Sequence, residues 1–150
     1  MRQIRTMVLC GVLALSALCG CAAETTSVQH SVALVVKSTQ TEFWRSVFAG
    51  AEAAATEYNL SLSIAGPETE EDYETQNRLI ANAVTSGAEA IVFSAIDHEE
   101  NAAAIDAAAQ AGVRIVAIDS SVASGHVSTY IGTDNYAAGQ MAAKAILERV

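Results

Sequence analysis

Thiols are scarce in this chain and sit at one end of it. All three cysteines, Cys10, Cys19 and Cys21, fall within the first 21 residues. Nothing beyond Cys21 can form a disulfide, ligate a metal through sulfur or attack as a thiolate. Proline occurs once, at Pro67, so long stretches are open to helices and strands. Basic residues number 8 against 17 acidic ones, a net charge of −9. No basic stripe is present, which argues against nucleic acid as a partner. The glycine fingerprints for dinucleotides (G-x-G-x-x-G) and for nucleoside triphosphates (G-x-x-x-x-G-K-S/T) are missing, and His30, His98 and His126 are scattered without metal-ligand spacing, so neither cofactor nor metal is expected. Aromatic residues make up only 5% of the chain. The placement of the single tryptophan, Trp44, directly after Phe43 therefore carries weight.

No apolar run reaches the roughly 20 residues a membrane-spanning helix needs. The longest, Met7 to Leu18, follows the basic segment Met1–Thr6 and has the make-up of a secretory signal. It leads into Leu18-Cys19-Gly20-Cys21, which resembles the lipobox of bacterial lipoproteins. Gly20 is the small residue required before the cleavage point, and Cys21 is the acylated first residue. Cys19 does not suit that role, because Leu18 would occupy the small-residue position. Residues 1–20 are thus expected to be a signal peptide, Cys21 a lipidation site, and residues 21–30 a polar tether. Two or more acyl chains, at about 0.8 kcal/mol per buried methylene, hold a protein firmly at a membrane. The expected location is the cell envelope: the outer face of the cytoplasmic membrane, or the periplasm. Removing Arg2 and Arg5 with the signal leaves 6 basic residues against the 17 acidic ones, a net −11.

From Ser31 the chain alternates between strand-length and helix-length patterns. Apolar runs at Ser31–Lys37, Leu60–Gly66, Ala88–Ala95, Val113–Asp119 and Val127–Thr133 read as strands. Helical patterns lie at about 41–59, 70–86, 99–111 and 134–150, with Gly87 and Gly112 as stop signals. In the first of these, Phe43, Val47, Ala51, Ala54 and Tyr58 are spaced to form one stripe. Strands followed by helices imply βαβ units with right-handed crossovers. The expected fold is α/β: an open, doubly wound, mostly parallel sheet with helices on both faces, in the flavodoxin-like order 2-1-3-4-5. Residues 31–150 make one domain.

Ligands bind beyond the carboxyl ends of the strands in such sheets, which selects the loops at Ser38–Glu42, Pro67–Glu70, Ala95–His98, Asp119–Ser121 and Thr133–Asn135. A phosphoacceptor receiver would need acids ending the first and third strands, where Val36-Lys37-Ser38 and Phe93-Ser94-Ala95 stand instead. The loop from Asp119 to His126 holds an acid, serines and a histidine, but along one segment and without a nucleophile elbow. The remaining inventory is an aromatic pair, a carboxylate and several hydroxyls, which suits a neutral polyol. Aromatic faces cover the C–H face of a sugar ring, and a carboxylate accepts from adjacent hydroxyls. Ser38, Thr41 and Thr133 are placed to adjust selectivity. Neighbouring helix residues diverge by about 100°, so one ring of the pair can be core while the other lines a cleft. Asp119 reads as functional, Asp134 as a helix N-cap, and Glu68 to Glu74 as a solvated acidic rim.

Five motifs in order resemble the N-terminal lobe of the periplasmic-binding-protein type 1 superfamily, in its sugar-binding branch. They are Phe43-Trp44 followed by Gly50, Gln76, Gly87–Asp97, Ala111–Asp119 and Tyr130–Ala143. The resemblance covers Ser31 to Val150. It implies that Phe43 and Trp44 stack on a sugar and that Asp119 bonds its hydroxyls. Thr41 stands where the family commonly has Asn, and Ser120 where ribose binders often have Arg, which weakens ribose as the ligand. The family has two lobes, and this chain stops inside a helix at Val150. A fragment or truncated product without the second lobe is therefore expected, with weak binding of its own. The implied protein is no enzyme but a monomeric, lipid-anchored solute-binding protein of a bacterial ABC importer. Its partners are a sugar or polyol, the permease and the membrane. A sensor passing a ligand signal (a sugar or an autoinducer-2-like molecule) to a chemoreceptor or kinase is the alternative, with an exported hydrolase behind it. A sugar-responsive repressor shares this core but needs a helix-turn-helix where the lipobox stands.

Overall fold

The computed structural model describes residues 28–150; the expected signal segment, Cys21 and the start of the tether lie outside the described residues. Five strands form, β1 (Ser31–Val35), β2 (Ser61–Ala65), β3 (Ala90–Phe93), β4 (Arg114–Ile118) and β5 (Val127–Ile131). Four helices accompany them, α1 (Glu42–Glu57), α2 (Tyr73–Thr85), α3 (Ala102–Gln110) and α4 (Asn135–Leu147). Every pairing is parallel and the sheet runs β2-β1-β3-β4-β5. Order and fold class are those expected. Each strand is shorter than the apolar run that encodes it, because hydrogen-bonded pairing ends before the run does.

Alternation along the strands divides the core in two. Ala33 and Val35 of β1 join Ile91, Phe93 and Ile115 beneath Ile80 of α2 and Ile105 and Ala108 of α3. Leu34 and Val36 face the other way, against Trp44, Val47, Phe48 and Ala51 of α1. Val47 and Ala51 of the expected stripe do pack against this core, but the two ends of the stripe do not. Phe43 and Tyr58, placed in the stripe by spacing alone, are 56% and 67% exposed, and Trp44 is the buried anchor.

The helix ends follow local chemistry. Thr41, in extended conformation, caps α1 by accepting from the Trp44 amide, and Asp72 caps α2 by accepting from Thr75 N at 2.8 Å. Asp134 caps α4 as expected, accepting from Ala137 N at 2.9 Å. Gly87 and Gly112, at φ of 83° and 91°, terminate α2 and α3 in the left-handed region that glycine enters without a Cβ clash. Side chains at the end of the expected tether touch the domain. Gln29 Nε2 donates to Asn59 Oδ1, and His30 Nδ1 lies 2.7 Å from Glu89 Oε2. α4 differs from the other helices: none of its residues is buried.

Candidate ligand-binding site

The carboxyl ends of β1, β3 and β4 lie side by side, and a buried glutamine holds two of them. Gln76 is fully buried. Its amide nitrogen donates to Val36 O at 2.9 Å and Ser94 O at 3.0 Å, and its oxygen accepts from Ile96 N at 3.0 Å. These backbone groups lie just past the last paired residues of β1 and β3. Without a ladder partner they would be buried and unsatisfied; Gln76 supplies the partner. Asn101, also fully buried, plays the same part in the next loop, accepting from Asp97 N at 2.9 Å and donating to Asn77 Oδ1. The Asp97 carboxylate accepts from the Glu100 and Glu99 amides, which holds its pKa below the usual aspartate value.

Asp119 follows β4 and is fixed at its backbone. Its N–H donates to Ile131 O at 2.9 Å and its carbonyl accepts from the Tyr130 hydroxyl at 2.8 Å. Its φ is +58°, left-handed backbone that Asp tolerates better than most residues. The side chain is 40% exposed, and Lys37 Nζ lies 3.2 Å from Oδ2. The hydroxyls of Ser94, at 3.3 Å, and Ser120, at 3.2 Å, donate to the same oxygen. Oδ1 takes no hydrogen bond among the described residues. A carboxylate is thus aimed from the sheet edge with one oxygen open.

The aromatic pair does not form a single flat wall. Ring centroids are 4.9 Å apart at an interplanar angle of 80°. Trp44 is 1% exposed, and its indole N–H donates to Glu70 Oε1 at 2.8 Å. Its bulk fills the space between α1 and the sheet, so its ring is not presented to solvent. Phe43 stands edge-on against it with its own ring in the open. Glu70, expected in a merely solvated acidic rim, has a defined partner in that indole.

The other expected residues divide. Ser120 touches the Asp119 carboxylate. Ser38 is 1% exposed, its hydroxyl donating to Glu68 O and accepting from Gln40 N. That ties the β1–α1 loop to the β2–α2 loop and engages the hydroxyl proton of Ser38 within the chain. The Thr41 oxygen caps α1. Thr133 is exposed in the β5–α4 loop. Ser124 donates to Asp106 and accepts from the His126 backbone amide, not its imidazole, so the acid, serine and histidine loop assembles no triad. Hollows of about 200, 270 and 140 Å³ lie along the flanks of the sheet and helices.

Residues 32–150 match a family described as periplasmic binding protein domain. This chain belongs to that family. Among its relatives, the ribose import binding protein RbsB of Bacillus subtilis (strain 168) is 25% identical over 122 residues. The match covers 81% of this chain and 39% of that protein. A carbohydrate transporter solute-binding protein from Agrobacterium radiobacter, solved with D-arabinose, superposes with a TM-score of 0.75 at 29% identity. That alignment covers 79% of this chain and 40% of the other. An ABC transporter solute-binding protein from Agrobacterium vitis with bound D-fucose gives a TM-score of 0.75 at 31% identity, covering 80% and 43%. The chain thus spans about two fifths of each relative. The family is one of binding proteins rather than enzymes.

Within this periplasmic binding protein domain, sequence reasoning missed three contributors: Lys37, Ser94 and the structural role of Gln76. Lys37 was legible in principle, as a cation ending an apolar strand in a chain with few cations. Ser94 ends the β3 run in the same way. The resemblance marked Gln76 but not its role, because its burial depends on two strands ending beneath it.

Proposed function

We propose that this chain is the N-terminal, ligand-holding lobe of an exported solute-binding protein. Cys21 anchors it by lipid, and the protein serves an ABC import system by capturing a sugar or polyol between two lobes. The observation that carries this reading is Asp119, aimed from the carboxyl edge of β4 with one oxygen open and an exposed aromatic ring, Phe43, on the same edge. The named ligands of similar solved proteins, D-arabinose and D-fucose, support the same chemistry. Capture needs no reaction: the ring covers the C–H face of the sugar and the carboxylate accepts from its hydroxyls. Trp44 supports Phe43 from beneath, and Thr41, Ser120 and Thr133 border the site.

A protein that contains this chain with a second lobe, heated with neutral sugars and polyols, gains roughly 4 kcal/mol from a millimolar ligand of micromolar affinity. Phe43→Ala and Asp119→Asn should each abolish most of that gain. A panel of neutral sugars that leaves the melting temperature unmoved contradicts the reading. The anchor has its own check: metabolic labelling with a fatty-acid analogue should mark the wild type and Cys19→Ala but not Cys21→Ala. Equal labelling of both variants removes Cys21 from its role.

A further inference from the structure

Asp119 is not a lone carboxylate. Among the described residues Lys37 is the cation that touches it, with Nζ 3.2 Å from Oδ2 and a side chain only 20% exposed. Ser94 and Ser120 donate to that same oxygen. What remains for a ligand is therefore asymmetric: an accepting oxygen, Oδ1, beside an ammonium with protons not used by Asp119. A neutral sugar fits both. One hydroxyl donates to the carboxylate while the oxygen on the adjacent carbon accepts from Lys37. An ammonium at either position can serve only the carboxylate and meets the like charge of Lys37. The loop between β2 and α2 carries Glu68, Glu70 and Glu71. In a chain of net charge −9, an unpaired Asp119 would favour cations.

We propose that Lys37 is a specificity-determining residue, which pairs with Asp119 so that the site takes neutral vicinal oxygens and rejects amino sugars. The inference rests on the sugar-binding reading above and deepens it. Lys37 also neutralises Asp119 before the ligand arrives, so a neutral ligand does not strand a bare charge in a closing cleft.

The test uses the chain itself, isotopically labelled and followed by amide chemical shifts, which register weak binding. The probes are D-galactose and D-galactosamine, which differ by a hydroxyl or an ammonium at carbon 2, with D-arabinose and D-fucose beside them. In the wild type, the neutral sugars should shift residues 94–96 and 119–121 at tens of millimolar, and D-galactosamine should bind about tenfold more weakly or worse. Lys37→Met, of similar length and without charge, should weaken neutral-sugar binding and bring the galactose-to-galactosamine ratio towards one. Lys37→Arg keeps the charge and should keep the preference. An unchanged spectrum away from the rim shows that the variants fold. If neutral sugars bind wild type and Lys37→Met with the same affinity and the same ratio, the role of Lys37 is overturned while the sugar-binding reading stands. If none of the three neutral sugars binds the wild-type chain, the role of Lys37 falls, while the sugar-binding reading is decided by the two-lobed protein in the thermal test above.

Discussion

Two adjacent rings have opposite roles, and substitution should separate them. Trp44 is buried against Leu34 and Val36, so Trp44→Ala opens a cavity and is expected to cost about 3–5 kcal/mol of stability. It also strands Glu70 without its indole partner. Phe43 is 56% exposed, and Phe43→Ala should change stability by no more than about 1 kcal/mol while weakening sugar binding. Chemical denaturation of the two variants decides the matter. A stable Trp44→Ala beside an unfolded Phe43→Ala would invert the assignment. Sequence alone placed both rings at the site and left open which was core. Five of the seven residues 49–55 of α1 are alanine, and such a helix gives little contrast by which to fix its rotation. Only the neighbouring strand residues do that.

At the scale of elements the sequence was a better guide. Strands β1, β3 and β4 announced themselves as β-branched apolar runs, and the glycines at 87 and 112 marked where α2 and α3 stop. What spacing could not show is how the strand ends are finished. Val36 O, Ser94 O and Ile96 N lie past the last paired residues, and one side chain from α2 satisfies all three. Gln76→Leu keeps the volume roughly constant and removes those partners. It should destabilise the chain by about 3 kcal/mol or more, since each buried group left unpaired costs about 1–3 kcal/mol. It should also disturb the amide shifts of residues 94–96 before those of α3. A loss below about 1 kcal/mol would mean that the strand ends hold themselves apart without it. α4 marks the opposite limit. Its cap at Asp134 was legible, but a good cap says nothing of what a helix packs against, and Tyr136, Met141, Ile146 and Leu147 stand exposed.

The whole molecule is acidic, and hydrogen bonds of the fold lower the pKa of three of its carboxylates. The pKa of Asp72 is lowered chiefly by its hydrogen bond with Thr75, that of Glu89 by His30, and that of Asp97 by the Glu100 amide. A carboxylate with a lower pKa in the folded state stabilises the fold fully above its unfolded value, and that contribution disappears as pH falls through the folded one. Unfolding measured across acid pH should therefore show stability level above about pH 5 and declining below it. Asp97→Asn keeps a capping oxygen that does not titrate, and it should flatten part of that decline. A decline of the same steepness in Asp97→Asn would remove Asp97 from the account.

Sheet, core and caps hold in place one edge of the molecule, where Asp119 and Phe43 stand, and the proposed function has that edge meet a small hydroxylated solute. The most direct measurement is saturation-transfer difference NMR with D-arabinose on the wild type, Asp119→Asn and Phe43→Ala. Asn suits a left-handed backbone position as well as Asp does, so the first variant removes charge and little else. Transfer to the sugar ring protons in the wild type, reduced several-fold in both variants, is the predicted result. Undiminished transfer in both variants would place the sugar elsewhere and contradict the account.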